Sequence, residues 1–139
     1  MKFMPQQIIL INLEKPREKK LEHDINWLCN SFGLSSGRDT ENIATQIVID
    51  LLKQLATNEE RVSSEKIAED LEVTPSRINH HVRNLISAGL LYRERRALCL
   101  RGGSLKAAVR EMRKDSDRIF DELEEIAEEI DRQMGLKNR

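Results

Sequence analysis

The residues best suited to binding another molecule are six arginines between Thr74 and Arg101. Only one acidic residue, Glu94, lies in this stretch, which therefore carries a net charge of +5. The flanking parts are acidic, with −4 in residues 1–73 and −2 in residues 104–139. Clustered guanidinium groups in an acidic chain predict a phosphate-binding surface, although charge alone leaves open a solvated surface balanced by neighbouring acids. The six are Arg77, Arg83, Arg93, Arg95, Arg96 and Arg101.

Length and composition limit the class of protein that carries this stretch. The chain has 139 residues, of which 39% are apolar and 34% are charged, so we expect one domain with a continuous core. The apolar run Ile8 to Ile11 is too short to span a bilayer or to form the core of a signal peptide. Cys29 and Cys99 lie far apart without a CxxC pair. These features predict a cytoplasmic protein with free thiols.

Two helices joined by a tight turn are predicted just before and within the basic stretch. Ser63 is a suitable N-cap for a short helix over residues 64–71, and Thr74 followed by Pro75 is typical of the start of a second helix. The second helix extends to about Ser87, where Ala88 and Gly89 end it. This arrangement is a helix-turn-helix. A left-handed backbone at Glu72 would cost roughly 1–2 kcal/mol, so we expect a different turn shape there.

The run "SSEKIAEDLEVTPSRINHHVRNLISAGLLYRERR" resembles the winged helix-turn-helix regulators of the ArsR and MarR families. The part "TPSRINHHVRNLISAGLL" is most similar to the recognition helix and exit of ArsR-type repressors. The resemblance implies a mainly α fold with a small β-hairpin wing, and double-stranded DNA as the partner. It covers about forty residues strongly and the flanking helices only in their layout.

The predicted second helix has one apolar side and one polar side. Ile78, Val82, Leu85 and Ile86 share the apolar side at 100° per residue, and no acidic residue occurs on the other. A helix in a major groove needs such a face, because carboxylates repel phosphates. Arg77 is the best candidate for a base contact. The DNA-binding residues that we predict in this helix and its cap are Thr74, Ser76, Arg77, Asn79, His80, Arg83 and Asn84.

A β-hairpin is predicted after this helix. Leu90 and Leu91 begin one strand, residues 98–100 form the other, and residues 93–96 form the tip. Arg93, Arg95 and Arg96 therefore suit phosphate or minor-groove contact, the alternative being a soluble turn.

A final helix of about thirty residues is predicted after Ser104, with a coiled-coil-like apolar seam interrupted by Ser116. It is too long to bury its whole seam on the remaining hundred residues. We expect it to pair across a two-fold axis, together with the first helix, whereas an intrachain hairpin with the first helix would cover only about half of it. The predicted dimerisation residues are Leu105, Val109, Met112, Ile119, Leu123, Ile126 and Ile130.

The N-terminal part is less informative. Ile8 to Leu13 suit a short strand within residues 1–16, and two helices follow within residues 17–60. The first helix opens at Pro16 or Arg17, and the second starts near Asp39. Trp27 lies off the apolar stripe and suits a partner contact, a pocket rim or the core. The winged helix-turn-helix then occupies residues 62–101 and the coiled-coil-like helix residues 104–135.

The sequence contains no motif typical of an enzyme or a metal site. It lacks a Gly-rich phosphate loop, HExxH, GxSxG and Cys/His clusters with zinc-ligand spacing. ArsR-type metal sensors carry paired cysteines in the first motif helix or His/Asp pairs in the last helix, and neither occurs here. We therefore expect no enzyme, no metal and no cofactor, and no residue identifies an effector. The sequence predicts a dimeric DNA-binding regulator, and the alternative is a winged-helix module that binds protein.

Overall fold

The computed structural model describes residues 5–34, 42–57 and 61–137. Its helices are α1 (Leu21–Ser31), α2 (Ile43–Ala56), α3 (Ser64–Leu71), α4 (Pro75–Ala88) and α5 (Leu105–Met134), and its strands are β1 (Leu91–Glu94) and β2 (Ala97–Leu100). A 3-10 turn over Arg101–Gly103 leads into α5. The fold is mainly helical with one hairpin and a long last helix, which confirms the predicted winged helix-turn-helix class.

One core of buried apolar side chains joins α1, α2, α3, α4, the hairpin and the first half of α5. Helix α2 supplies its centre, because four of its large apolar side chains are fully buried. Each fully buried side chain of this size contributes roughly 1.5–3 kcal/mol. The four are Ile43, Ile47, Val48 and Leu51.

The helix-turn-helix has the predicted caps. The Ser63 side chain accepts a hydrogen bond from the Lys66 N–H, and the Thr74 side chain accepts one from the Arg77 N–H. The expectation of a different turn shape at Glu72 was wrong, since Glu72 has φ 56° and ψ 43°, in the left-handed region. The turn keeps this conformation because Val73 N–H bonds the Ala68 carbonyl, which closes the end of α3.

The hairpin pairs β1 with β2 in antiparallel register, with Leu91 opposite Leu100. A further bridge joins Val62 to Leu98, so the chain segment before α3 adds to the edge of the wing. The hairpin differs slightly from the prediction, because Leu90 precedes β1 and Arg93 lies within it. The tip therefore consists of Arg95 and Arg96 alone.

The N-terminal prediction was partly wrong. Residues 5–16 form no strand but an extended segment across the helices, with single backbone bonds from Gln7 to Ser87 and from Ile11 to Ser31. Helix α1 begins at Leu21 rather than at Pro16 or Arg17. Apolar residues alone do not make a strand, since a strand needs a partner with a free edge. The predicted start of the second helix at Asp39 lies outside the described residues.

The last helix has two different halves. Ala108, Met112 and Asp115 in its first half are buried in the core. The apolar side chains of its second half are between 39% and 73% exposed, namely Ile119, Phe120, Leu123, Ile126, Ile130 and Met134. Of the predicted dimerisation residues, Met112 is instead part of this chain's own core, and Leu105 and Val109 are half-buried.

Candidate nucleic-acid interface

Helix α4 is anchored on one side and open on the other. Ile78, Val82 and Leu85 are completely buried, and Gly89 ends the helix with φ 94°. Six of the predicted DNA-binding side chains on the opposite side are exposed, and the helix contains no acidic residue. The helix therefore presents a cationic and hydrogen-bonding face from a fixed position. The six are Ser76, Arg77, Asn79, His80, Arg83 and Asn84.

Arg93 connects the wing to the helix-turn-helix. Its Nη2 lies 3.0 Å from the Ser64 hydroxyl oxygen and 3.5 Å from the Asn79 Oδ1. Ser64 is the first residue of α3 and Asn79 lies on α4, so one guanidinium spans three elements. Arg93 thus fixes the angle between wing and helix in addition to its predicted role as a contact residue.

A polar groove of 900 Å³ lies between the wing, α4 and the start of α3. Of the residues that the structure describes, Arg83, Arg93 and Arg96 line it, together with one carboxylate, Glu65. Three guanidinium groups against one carboxylate leave the groove electropositive. The groove and the exposed face of α4 share Ser76, Asn79 and Arg83, so together they form one surface, which we call the basic surface.

The tip of the wing holds two arginines in an unfavourable backbone conformation. Arg95 has φ 49° and Arg96 has φ 71°. Two consecutive positive φ values are those of a type I′ turn, in which Asn-Gly is preferred. Arg61 Nη2 donates a hydrogen bond to the Arg95 carbonyl at 2.5 Å and helps to hold this turn. Arginine is not the residue that this turn conformation prefers, so we infer that Arg95 and Arg96 are present for contacts that their side chains make.

The comparisons with known proteins identify this region. Residues 45–93 match the family model described as bacterial regulatory protein, arsR family. The chain carries an ArsR-like winged helix-turn-helix. The match runs from α2 to Arg93 in β1, about a third of the chain, and it supports a DNA-binding transcription regulator. No curated protein and no solved structure matches the chain. The resemblance to MarR regulators remains a prediction.

The cysteine and histidine side chains that could act as nucleophiles or metal ligands are packed against other parts of the protein. Burial raises the pKa of the Cys29 thiol to about 11, more than a hydrogen bond with Thr45 lowers it, so Cys29 is a poor nucleophile. His81 is half-buried, and its ring packs edge-on against His80 at 5.4 Å. Among the described residues, no group of three His, Cys, Asp or Glu side chains could hold a metal. Each helix of the described ranges is either too short or too polar to span a bilayer.

Arg101 belongs to a separate cluster around the buried Asp115. Its guanidinium pairs with both oxygens of Asp115, and its Nη1 also donates to the Gly89 carbonyl at 3.3 Å. Arg101 is one of the six arginines of the basic stretch, but this ion pair neutralises it. Arg101 therefore does not belong to the basic surface, although the sequence places it in the same basic stretch.

Asp115 joins the N-terminal segment and the 3-10 turn to α5. Only 2% of its surface is exposed, and it accepts hydrogen bonds from Arg101, from Arg118 and from Gln6 Nε2, the last at 2.8 Å. Gln6 also donates to the Ala88 carbonyl at the end of α4. The Arg101 guanidinium, followed by the other donors, lowers the pKa of Asp115. We call Gln6, Ala88, Gly89, Arg101 and Asp115 the junction.

Gly89 is required where the junction meets α4. A Cβ at this position would lie 2.4 Å from Gln6 Nε2 and 3.0 Å from Arg101 Nη1, and φ is positive. Only glycine lets both side chains reach the helix end.

The sequence reasoning missed Gln6, Arg61 and Asp115. Asp115 lies three residues after the buried Met112, on the same side of α5, and that spacing is a signal for burial. Gln6 and Arg61 lie far along the chain from their partners, so no local pattern reveals them.

We predict that replacing the tip with R95N/R96G stabilises the protein by about 1–2 kcal/mol, because the left-handed backbone then suits its residues. The same variant should bind duplex DNA more weakly, with a salt dependence reduced by about one unit for each phosphate that it no longer binds. Urea unfolding and binding titrations at several salt concentrations measure both effects. R95K/R96K is the matched control, since it keeps charge and strain. An unaltered salt dependence would exclude the wing from the interface.

We predict that D115N lowers the free energy of unfolding by about 2–3 kcal/mol at neutral pH, because it removes charge-assisted hydrogen bonds. The folded-state pKa of Asp115 is depressed, so its stabilisation is complete above the unfolded value of about 3.9 and declines below it. The difference between wild type and D115N should therefore shrink as the pH falls below about 4. D117N, on the exposed neighbour, is the control. Equal stability of D115N and D117N would contradict the junction.

Proposed function

We propose that this protein is a cytoplasmic transcriptional repressor that binds a near-palindromic duplex site as a homodimer and blocks a promoter by occupying it. The basic surface carries the proposal. Its exposed donors follow one helix and continue onto the wing, and helix and wing are the elements that winged helix-turn-helix proteins place against DNA. A module that binds protein instead would favour apolar residues at positions 76, 77 and 80, which are Ser, Arg and His.

The contacts divide by their place on the surface. Arg77 lies in the first turn of α4, whose N-terminal residues reach base edges in helix-turn-helix complexes, and arginine pairs with the O6 and N7 of guanine. Ser76, Asn79 and His80 contact bases or phosphates. The sugar-phosphate backbone of the DNA is contacted by Thr74, Arg83 and Asn84. The wing binds phosphates or the minor groove beside the recognition site through Arg93, Arg95 and Arg96.

The exposed stripe on the second half of α5 supports the homodimer. Six large apolar side chains recur along one side of a helix whose other positions are mostly charged, an arrangement typical of a coiled-coil seam. A contiguous apolar surface of this kind usually marks an interface. Two-fold pairing through it would present two copies of α4, and a separation of roughly 34–36 Å would match successive major grooves.

Selection of random duplexes against the full chain tests the proposal. We expect a motif with two inverted half-sites separated by about one helical turn. The R77A variant should bind the selected site about 1–3 kcal/mol more weakly and lose preference at one base pair in each half-site. R132A, near the far end of α5, removes one positive charge away from the basic surface and is the control. Enrichment without any motif would reject sequence-specific recognition, and unchanged preference in R77A would reject its base contact.

A charge on the α5 stripe should separate the two subunits. We expect L123E/I126E to sediment as a monomer while keeping its helix content, because paired stripes cannot bury carboxylates without a large desolvation cost. R110Q/R132Q lowers the net charge by the same two units on exposed side chains outside the seam. A dimer that survives L123E/I126E would place the subunit contact elsewhere, and loss of pairing in R110Q/R132Q would show a general charge effect unrelated to the stripe.

A further inference from the structure

The extended N-terminal segment, residues 5–13, is attached at two separate places. Near its start, Gln6 and Gln7 bond the end of α4. Further along, the Ile11 N–H donates to the Ser31 carbonyl at 2.8 Å, and Ile9 packs so closely on Gly33 that a Cβ there would lie 2.9 Å from its Cγ2. The segment thus connects the C-terminal ends of α1 and α4.

A cavity of 340 Å³ lies beneath this segment, between α1 and the first half of α5. Its size falls within the usual range of small-molecule sites, about 300–1,000 Å³. Its walls are predominantly apolar and include Trp27, whose indole N–H donates to the Leu13 carbonyl at 3.2 Å. The apolar wall residues include Ile8, Ile11, Trp27, Phe32, Val109 and Met112.

The polar groups of the cavity indicate the charge of its occupant. Within the part of the chain that the structure describes, Arg113 is the one charged residue that lines it, and no acidic residue does so. The nearby Glu111 is paired with Lys114 at 3.3 Å, and the Ser31 hydroxyl donates to the Trp27 carbonyl. Arg113 and the hydroxyl of Ser116 therefore remain as donors for a bound anion. An apolar wall with a single guanidinium at one side is complementary to a small carboxylate with an apolar body.

We propose that this cavity binds a small amphipathic carboxylate, with its apolar body against α1 and α5 and its carboxylate at Arg113, and that binding alters the hold of the N-terminal segment on α4. The effect on DNA rests on the function proposed above, whereas binding itself does not.

The path from cavity to recognition helix is short. Ile8 and Ile11 line the cavity, and Gln6 and Gln7 precede them directly. Gln6 contacts both the Ala88 carbonyl and Asp115, so a shift of the segment changes the junction that fixes the end of α4 against α5. An occupant that favours one position of the segment thereby favours one position of α4.

Octanoate is a suitable probe, and Trp27, the single tryptophan of the chain, reports occupancy by its fluorescence. We expect a saturable change with octanoate, and binding of 1-octanol about tenfold weaker, because the alcohol lacks the charge that Arg113 would bind. R113Q should weaken octanoate binding by a similar factor, and R110Q, on an exposed residue of the same helix outside the cavity, should not. V109F should reduce binding of both probes by filling the cavity.

No saturable change below the micelle concentration of octanoate would overturn the proposal, as would equal binding by wild type and R113Q. A fluorescence change that follows protein dilution and not octanoate would show that a second copy covers the cavity, which also overturns the proposal.

In a duplex-binding assay, octanoate should change the affinity of wild type at least threefold and that of Q6A much less, although Q6A still binds octanoate. Equal effects on both would overturn the path through Gln6. The fluorescence titration contains no DNA, so its failure is distinct from a failure of duplex binding.

Discussion

The structure depends on a constraint on α4, which must be packed tightly against the core on one side and exposed to solvent on the other. Ile78, Val82 and Leu85 are fully buried and fix the rotation of the helix about its axis. Rotation by a single residue would turn Arg77 by about 100° and would expose apolar surface. The same burial that stabilises the fold therefore aims the polar side chains outward, and the two roles cannot be separated by mutation of the inner side.

Local chemistry made the helix-turn-helix predictable from sequence. The residues that begin and end these helices contact only the neighbouring turn of the chain, so the sequence alone located α3 and α4 to within a residue or so. They are the caps Ser63, Thr74 and Gly89 and the first-turn Pro75. Glu72 shows the limit of such reasoning, since the turn accepts a left-handed residue whose cost the neighbouring packing and the Val73 bond offset.

Features that depend on distant partners were not predictable in the same way. Ile8 to Leu13 have the composition of a strand, but this segment lies against the ends of α1 and α4, where its backbone bonds go to Ser31 and Ser87 and not to the hairpin. Asp115 is buried because it bonds Gln6, 109 residues earlier, and Arg101, and no local pattern of α5 shows these partners. The exposed donors of the basic surface followed from helical periodicity, but the link from Arg93 to Ser64 required the fold.

The polar nature of the junction matters for the proposed homodimer, in which two copies of α4 would have to lie at a set distance. A purely apolar contact between α4 and α5 would stabilise their packing but would tolerate sliding and rotation. A bidentate arginine–carboxylate pair has a fixed geometry, and its desolvation makes misplacement costly. The half of α5 that packs on the core contains this pair, and the other half bears the apolar stripe. The single helix α5 thus connects the proposed subunit contact to the end of α4. In the proposed dimer, the angle between α4 and α5 at Asp115 would therefore set the distance between the two basic surfaces.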